Sequence, residues 1–331
     1  MDGLIDFESA WVLAFQSLPG LTALMRAASF LGSEEFYLFI MPALYWCVDA
    51  GLGARTAVML IFSNSLSNWL KLSLVQPRPY WVDARVAMLA TETSYGQPSG
   101  HTLNAVNVWG LLAARVGRRW AWLAAGGLMV LIALSRVYLG VHFPSNLLGG
   151  WLFGGLSLWA FLRWEARATA WLGRLGLGGQ LALAGLISLG YLTGSWALLT
   201  VFPAPAELPA WAAAAARAGQ TDFGPRNPEA LINLAGMLAG LGAGLALMTR
   251  HARFEAGGPP LQRGLRFILG VAGVAGLFFG LRLVLPQSAD WIGYAGRYFR
   301  YGAVVFWALY LAPLLFLKLG LARPAAPPGS I

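Results

Sequence analysis

The chain has 331 residues, of which 58% are hydrophobic and 11% charged, with 15 tryptophans and a mean hydropathy of +0.62. That balance excludes a water-soluble globular domain and points to an all-α, polytopic membrane protein. The net charge of +9 is scattered through loops rather than gathered in a stripe, so membrane lipids are the expected partners of the basic side chains and nucleic acid is not.

Residues 1–30 read as an N-terminal interfacial region. "MDGLIDFESAW" carries Asp2, Asp6 and Glu8 where a cleavable signal peptide would be basic. Leu4, Trp11, Phe15 and Leu18 recur at helical spacing, which predicts a helix lying in the membrane interface. Nine apolar stretches follow, near 35–49, 54–75, 100–114, 120–140, 145–162, 180–201, 229–249, 265–285 and 299–319. Each, as a helix, could cross about 30 Å of hydrocarbon, the first and third being the shortest. The expected organisation is a catalytic membrane core over 31–165, a C-terminal four-helix membrane region over 166–320 and a disordered tail over 321–331. The lone cysteine, Cys47, has no partner within the chain for a disulfide.

If nine spans alternate, the segments around 50–55, 115–120, 163–174 and 250–266 share one side with the C-terminal tail and hold 13 of the 23 Lys and Arg. The positive-inside rule makes that side cytoplasmic. The opposite, extracytoplasmic side receives the N-terminus, 11 of the 14 acids and three polar motifs. A bacterial inner membrane is the expected location.

The first motif is "KLSLVQPRP", residues 71 to 79. Lys71 is one of two lysines in a chain with 21 arginines, and Asn64, Asn68 and Lys71 share a helical face with Ser67 beside them, so the polar stripe should turn into the bundle. A lysine snorkelling at a helix end is the plainer alternative. The second motif is "PSGH", 98 to 101, a tight turn opening a helix, where backbone N–H groups and the helix dipole welcome an anion. The third is "SRVYLGVHFPSN", 135 to 146, which places Arg136 near the end of one span, Pro144 in the first turn of the next, and His142 between them. The third histidine, His251, lies in a basic loop and has no such company.

Two arginine forks, a lysine and a donor-rich turn would neutralise the oxygens of a phosphoryl group in transfer. One histidine can attack phosphorus while the other protonates the leaving oxygen and then activates water. No Cys/His or carboxylate set with metal-ligand spacing accompanies them, so neither a metal nor another cofactor is expected.

Lys, six residues, Arg-Pro; Pro-Ser-Gly-His; and Ser-Arg, five residues, His resemble the signature of the type 2 phosphatidic acid phosphatase (PAP2) superfamily, in which three residues and an Asp follow that His, over roughly residues 30 to 165. The resemblance implies that His142 forms a phosphohistidine and His101 is the acid and base. Lys71, Arg78, Ser99, Gly100 and Arg136 would hold the phosphate. The implied substrate is a lipid phosphate or pyrophosphate of the isoprenyl pyrophosphate, phosphatidic acid or phosphatidylglycerol phosphate class.

One position departs: Asn146 stands where the family has Asp. An asparagine carbonyl can accept the Nδ1 proton of His142 but brings no charge, so weakened turnover is one expectation, and a catalytically impaired phosphate or lipid binder is another. A position altered to trap an inactive form is a third, and a lineage that works without the acid is a fourth. The glucose-6-phosphatase branch also lacks the Asp, reading His-Phe-Pro-His-Gln against "HFPSN" here, and shares "RPYW" at 78 to 81. A sugar phosphate is therefore the alternative substrate.

Between the motifs, Trp81, Val82, Val86 and Leu89 could form the apolar face of a surface helix, a lid at the mouth of the site, with a plain interfacial loop as the alternative. Beyond 165, "GMLAGLGAG" at 236 to 244 and "GLFFG" at 276 to 280 repeat glycine every fourth residue, which suits intramolecular helix packing or a homodimer face. Arg282, Arg297 and Arg300, with Trp291, Tyr294 and Tyr298 nearby, read either as a second anion site or as interfacial anchors.

Overall fold

The structure is a computed structural model describing residues 2–325, so residues 326–331 of the expected tail lie outside it. In chain order the helices are α1 (Asp2–Gln16), α2 (Thr22–Phe30), α3 (Glu34–Cys47), α4 (Ala50–Leu74), α5 (Pro79–Val82), α6 (Gly100–Val116), α7 (Arg119–Tyr138) and α8 (Pro144–Arg174). They continue with α9 (Leu177–Val201), α10 (Leu208–Arg217), α11 (Glu229–His251), α12 (Pro260–Val284), α13 (Trp291–Phe306) and, after a π-turn at Trp307–Leu311, α14 (Ala312–Lys318). Among the described residues the only β-pairing is an isolated bridge between Phe254 and Pro324.

Among the described residues, seven segments are long and apolar enough to cross a membrane: Ala50–Val82, Arg119–Tyr138, Pro144–Arg174, Leu177–Val201, Glu229–His251, Pro260–Val284 and Trp291–Lys318. The protein is a multi-pass membrane protein. The two expected spans outside this set are α3, with 14 residues, and α6, with 17. A straight helix of 14 residues extends only about 21 Å, short of the hydrocarbon thickness.

The chain divides into two compact units. One comprises residues 1–37, 62–162 and 196–227; the other comprises 38–61, 163–195 and 228–331. Helices α3, α4, α8 and α9 each contribute to both.

In the first unit, α1 presents Leu4, Phe7 and Trp11 outward while Glu8, Ser9 and Val12 face in. Leu4 and Trp11 of the stripe predicted from spacing are thus exposed together with Phe7, while the Phe15 ring meets Tyr138 edge-on. Helix α6 starts where Ser99 caps it, the hydroxyl accepting from the Thr102 N–H, and ends at Gly117 in the left-handed region. Pro144 opens α8, where its missing N–H leaves no bond unmade.

In the second unit the glycine repeat at 236 to 244 brings two helices into backbone contact. A Cβ at Gly236 or Gly240 would collide with the carbonyls of Tyr298 and Gly302 on α13, and one at Gly244 would press on Leu309. These glycines serve packing within the chain. Gly276 and Gly280 face open space. Buried Arg266 donates to the carbonyls of Glu255, Ala256 and Gly257 at 2.7–2.8 Å.

Candidate active site

The three motifs meet within the first unit. Lys71, near the end of α4, donates to the Ser94 hydroxyl at 2.7 Å. A Cβ on Gly100, the first residue of α6, would stand 3.8 Å from the Lys71 ammonium nitrogen and 3.5 Å from Ser67 Oγ, so the lysine faces the Pro-Ser-Gly-His turn. The polar stripe of α4 does turn inward. The Asn104 amide donates to Asn64 Oδ1 at 2.8 Å, and Ser63 donates to Asn104 Oδ1 at 2.5 Å.

Arg78 is fully buried. Its guanidinium donates to the carbonyls of Ser94 (2.6 Å), Tyr95 (3.1 Å) and Val141 (2.7 Å), and lies over the Trp81 ring at 5.9 Å. One Nη reaches His142 Nε2 at 3.4 Å and the other lies 3.5 Å from Glu92. Arg136, at the end of α7, is gripped by Ser29 and ion-pairs with the same Glu92. His101 Nδ1 lies 3.7 Å from Glu92. Arg78, Arg136 and His101 therefore converge on a single carboxylate.

His142 follows the turn that ends α7. Gly140 supports that turn with φ +75, and a Cβ there would strike the Ala87 carbonyl, so glycine alone fits. The backbone N–H of His142 returns to the Arg136 carbonyl, and its Nδ1 lies 3.3 Å from Asn146 Oδ1. Burial holds the imidazole well below its ordinary value, with the Arg78 and Arg136 charges pushing the same way, so the neutral ring is favoured. Burial by itself would raise the Glu92 carboxyl, but Arg78 and Arg136, joined by His101 and Lys71, outweigh it and keep it ionised below the usual carboxylate range.

Ser99 stands in the turn as a helix cap. Its hydroxyl accepts from Thr102, and its N–H donates to the Asn146 carbonyl at 3.0 Å, leaving the next N–H groups of the first turn of α6 for an anion. Arg297 and Arg300 stay within the second unit. Arg297 pairs with Glu229 at 2.8 Å, and buried Arg300 lies over the rings of Phe278 and Tyr301 and meets Gln287.

Several residues escaped sequence reasoning. Glu92 sits in the stretch read as a lid, nine residues before His101, and no local period marks it. That stretch is not a surface helix: only 79–82 is helical, and Trp81 and Val86 are buried. Its apolar side chains are covered by residues far along the chain, as Trp81 stacks on Trp211 (6.1 Å) and meets Phe223 (4.9 Å). Gln220 then ties the segment down, accepting from Tyr80 at 2.8 Å and donating to the Glu92 carbonyl at 3.0 Å. Glu8, read only as an argument against a signal peptide, accepts from the Ser145 N–H and hydroxyl at the start of α8.

Residues 53–170 match the family model described as the PAP2 superfamily, and residues 232–324 match one described as a PAP2 superfamily phosphatase, transmembrane extension. Over 160 residues the chain is 30% identical to an undecaprenyl-diphosphatase of Sulfolobus acidocaldarius, covering 48% of this chain and 76% of that protein. Against phosphatidylglycerophosphatase B of Bacillus subtilis it is 30% identical over 153 residues, covering 41% of this chain and 71% of that one. A longer match, 235 residues at 27% identity, links it to glucose-6-phosphatase 3 of Bos taurus, with 61% of this chain and 64% of that one covered. Of a sphingosine-1-phosphate phosphatase 2 from Mus musculus the chain spans 38%.

Proposed function

The chain belongs to the PAP2 superfamily, and from that premise we propose that it hydrolyses a lipid phosphate or pyrophosphate at the extracytoplasmic face of a membrane through a phosphohistidine, without a metal. The observation that carries the reading is the convergence of Arg78, Arg136 and His101 on one carboxylate beside Lys71 and His142. A tetrahedral dianion offers the same cations more acceptors than Glu92 does. In this reading Glu92 is the resident counter-ion and the phosphoryl group takes over its partners.

His142 Nε2 attacks phosphorus as the bond to the leaving oxygen breaks, and the ester oxygen takes a proton from His101. Arg78, Arg136, Lys71 and the N–H groups of the Pro-Ser-Gly-His turn balance the charge on the three equatorial oxygens. In the second step His101 withdraws a proton from water, the hydroxide attacks phosphorus, and the P–N bond breaks to release inorganic phosphate. The basic segments on the opposite side would be cytoplasmic, as the charge bias predicts.

A sugar phosphate is the second reading, favoured by the greater length over which the chain aligns with glucose-6-phosphatase 3 and by an amide at 146. The deciding experiment measures phosphate release by purified full-length protein from dispersed lipid phosphates, lipid pyrophosphates and a soluble sugar phosphate, in chelator, beside His142→Ala. Turnover of the lipids that disappears in the variant supports the proposal, and preference for the soluble substrate transfers it to the second reading. Binding without turnover would leave a phosphate or lipid binder.

A further inference from the structure

An amide rather than a carboxylate faces His142, and two further amides hold that amide in turn. An amide's oxygen and nitrogen are told apart by what they meet. The Phe143 backbone N–H can only donate, and it points at one end of the Asn146 side chain at 2.9 Å, so that end is Oδ1. The other end, Nδ2, lies 2.6 Å from Gln76 Oε1 and 2.8 Å from Gln97 Oε1, so each of its protons has an acceptor. Oδ1 is thereby left facing His142 Nδ1 at 3.3 Å. On the far side of the ring, the Arg78 Nη that approaches Nε2 at 3.4 Å is likewise only a donor. Both neighbours demand the same tautomer, with the proton on Nδ1 and the lone pair of Nε2 free.

The seats of the two glutamines are built into the backbone. The Gly96 N–H donates to the Gln76 carbonyl at 2.8 Å, joining the two segments that carry them. A Cβ on Gly96 would stand 3.0 Å from Asn146 Oδ1, and one on Gly149 would strike the Gln97 amide, so both positions leave room for this arrangement. Asn146 is fully buried, and turning its amide over would set Nδ2 against the Phe143 N–H.

We propose that Gln76 and Gln97 are positioning residues that fix the polarity of the Asn146 amide, and through it the attacking tautomer of His142, so that asparagine does here the orienting work of a carboxylate. The inference rests on His142 being the nucleophile proposed above. Its distinctive consequence is a reversal of sign. A carboxylate at 97 can still accept from an amide at 146, but it opposes a carboxylate there.

The test uses the purified full-length chain in detergent with chelator, measuring kcat and KM for phosphate release together with the ¹⁵N shifts of the His142 ring. Gln76→Leu combined with Gln97→Leu should lower kcat on the order of tenfold or more, with KM changed no more than about twofold. Gln97→Glu should recover most of the loss seen in Gln97→Leu when residue 146 is asparagine. In an Asn146→Asp background the order should invert, with Gln97→Glu worse than Gln97→Leu. The ring shifts should report a single Nδ1–H tautomer in the parent and a mixture in the double leucine variant. An unchanged tautomer in that variant, or the same effect of Gln97→Glu on both backgrounds, would overturn the proposal. Failure of the parent to release phosphate from any substrate would end the functional reading instead, and the ring shifts would still decide the amide arrangement.

Discussion

Arg78 and Arg266 are both fully buried, and both direct their donors at backbone carbonyls, yet they do different things. Arg266 meets three carbonyls of one loop, Glu255 to Gly257, and ties that loop to α12. Arg78 also meets three carbonyls, but from two separated stretches, and it keeps an edge for His142 and Glu92. Burial of a guanidinium is thus no sign of chemistry by itself. What separates the two is a shared anionic partner: Glu92 is also met by Arg136 and His101, whereas Arg266 forms no ion pair among the described residues.

The largest effect that would break this comparison comes from the nucleophile. His142→Ala should abolish phosphate release, a loss on the order of 10⁴-fold or more, and remove any acid-labile, alkali-stable phosphoprotein trapped by an alkaline quench. Retained turnover would take the chemistry away from the first unit altogether. Next come the two arginines side by side. Arg78→Met should lower kcat/KM on the order of 10²- to 10³-fold. Arg266→Met should leave kcat/KM of the folded protein intact and destabilise it by about 1–3 kcal/mol, read as a lower melting temperature in detergent. Equal losses of kcat/KM would erase the distinction.

Removing the counter-ion sharpens the contrast further. Glu92→Gln should tighten the binding of vanadate and inorganic phosphate roughly tenfold at neutral pH, because one negative charge no longer competes for the same cations. Unchanged anion affinity would show that phosphate and Glu92 do not share partners. The smallest effect is on acid stability. The Glu92 carboxyl is depressed in the folded chain, so its contribution is complete above about pH 4.3, the usual value for glutamate, and fades as pH falls through the depressed value. Glu92→Gln should flatten that part of the melting temperature against pH, and an identical profile would sink the assignment.

The motifs were legible because each is short and its chemistry is local: a helix-end lysine, a donor-rich turn, a histidine beside a proline-opened helix. What holds them together was not. Glu92 gains its meaning only when α6, α7 and the segment leading into α5 bring His101, Arg136 and Arg78 to it, and the cover over Trp81 comes from Trp211 and Phe223, which no local period connects. The glutamines did leave a trace, since each precedes a proline at a motif edge, "QPRP" and "QPSG". Pairing at such distances is set by hydrogen bonds, which leave no periodic pattern in a sequence. Helices α3 and α6, expected as spans, fall outside the spanning set because they are short, at 14 and 17 residues.

Gln220 and Trp211 close over a segment that lies more than a hundred residues earlier, and they belong to neither stretch matched by the two family models. A chain cut after residue 170 would keep every side chain of the proposed site and still uncover the rings of Trp81 and Tyr95 and leave the Tyr80 hydroxyl only the Glu92 carbonyl at 3.4 Å. The proposed site is therefore not a portable module. Chimeras that trade C-terminal halves with relatives would have to carry residues 196–227 along with the front of the molecule.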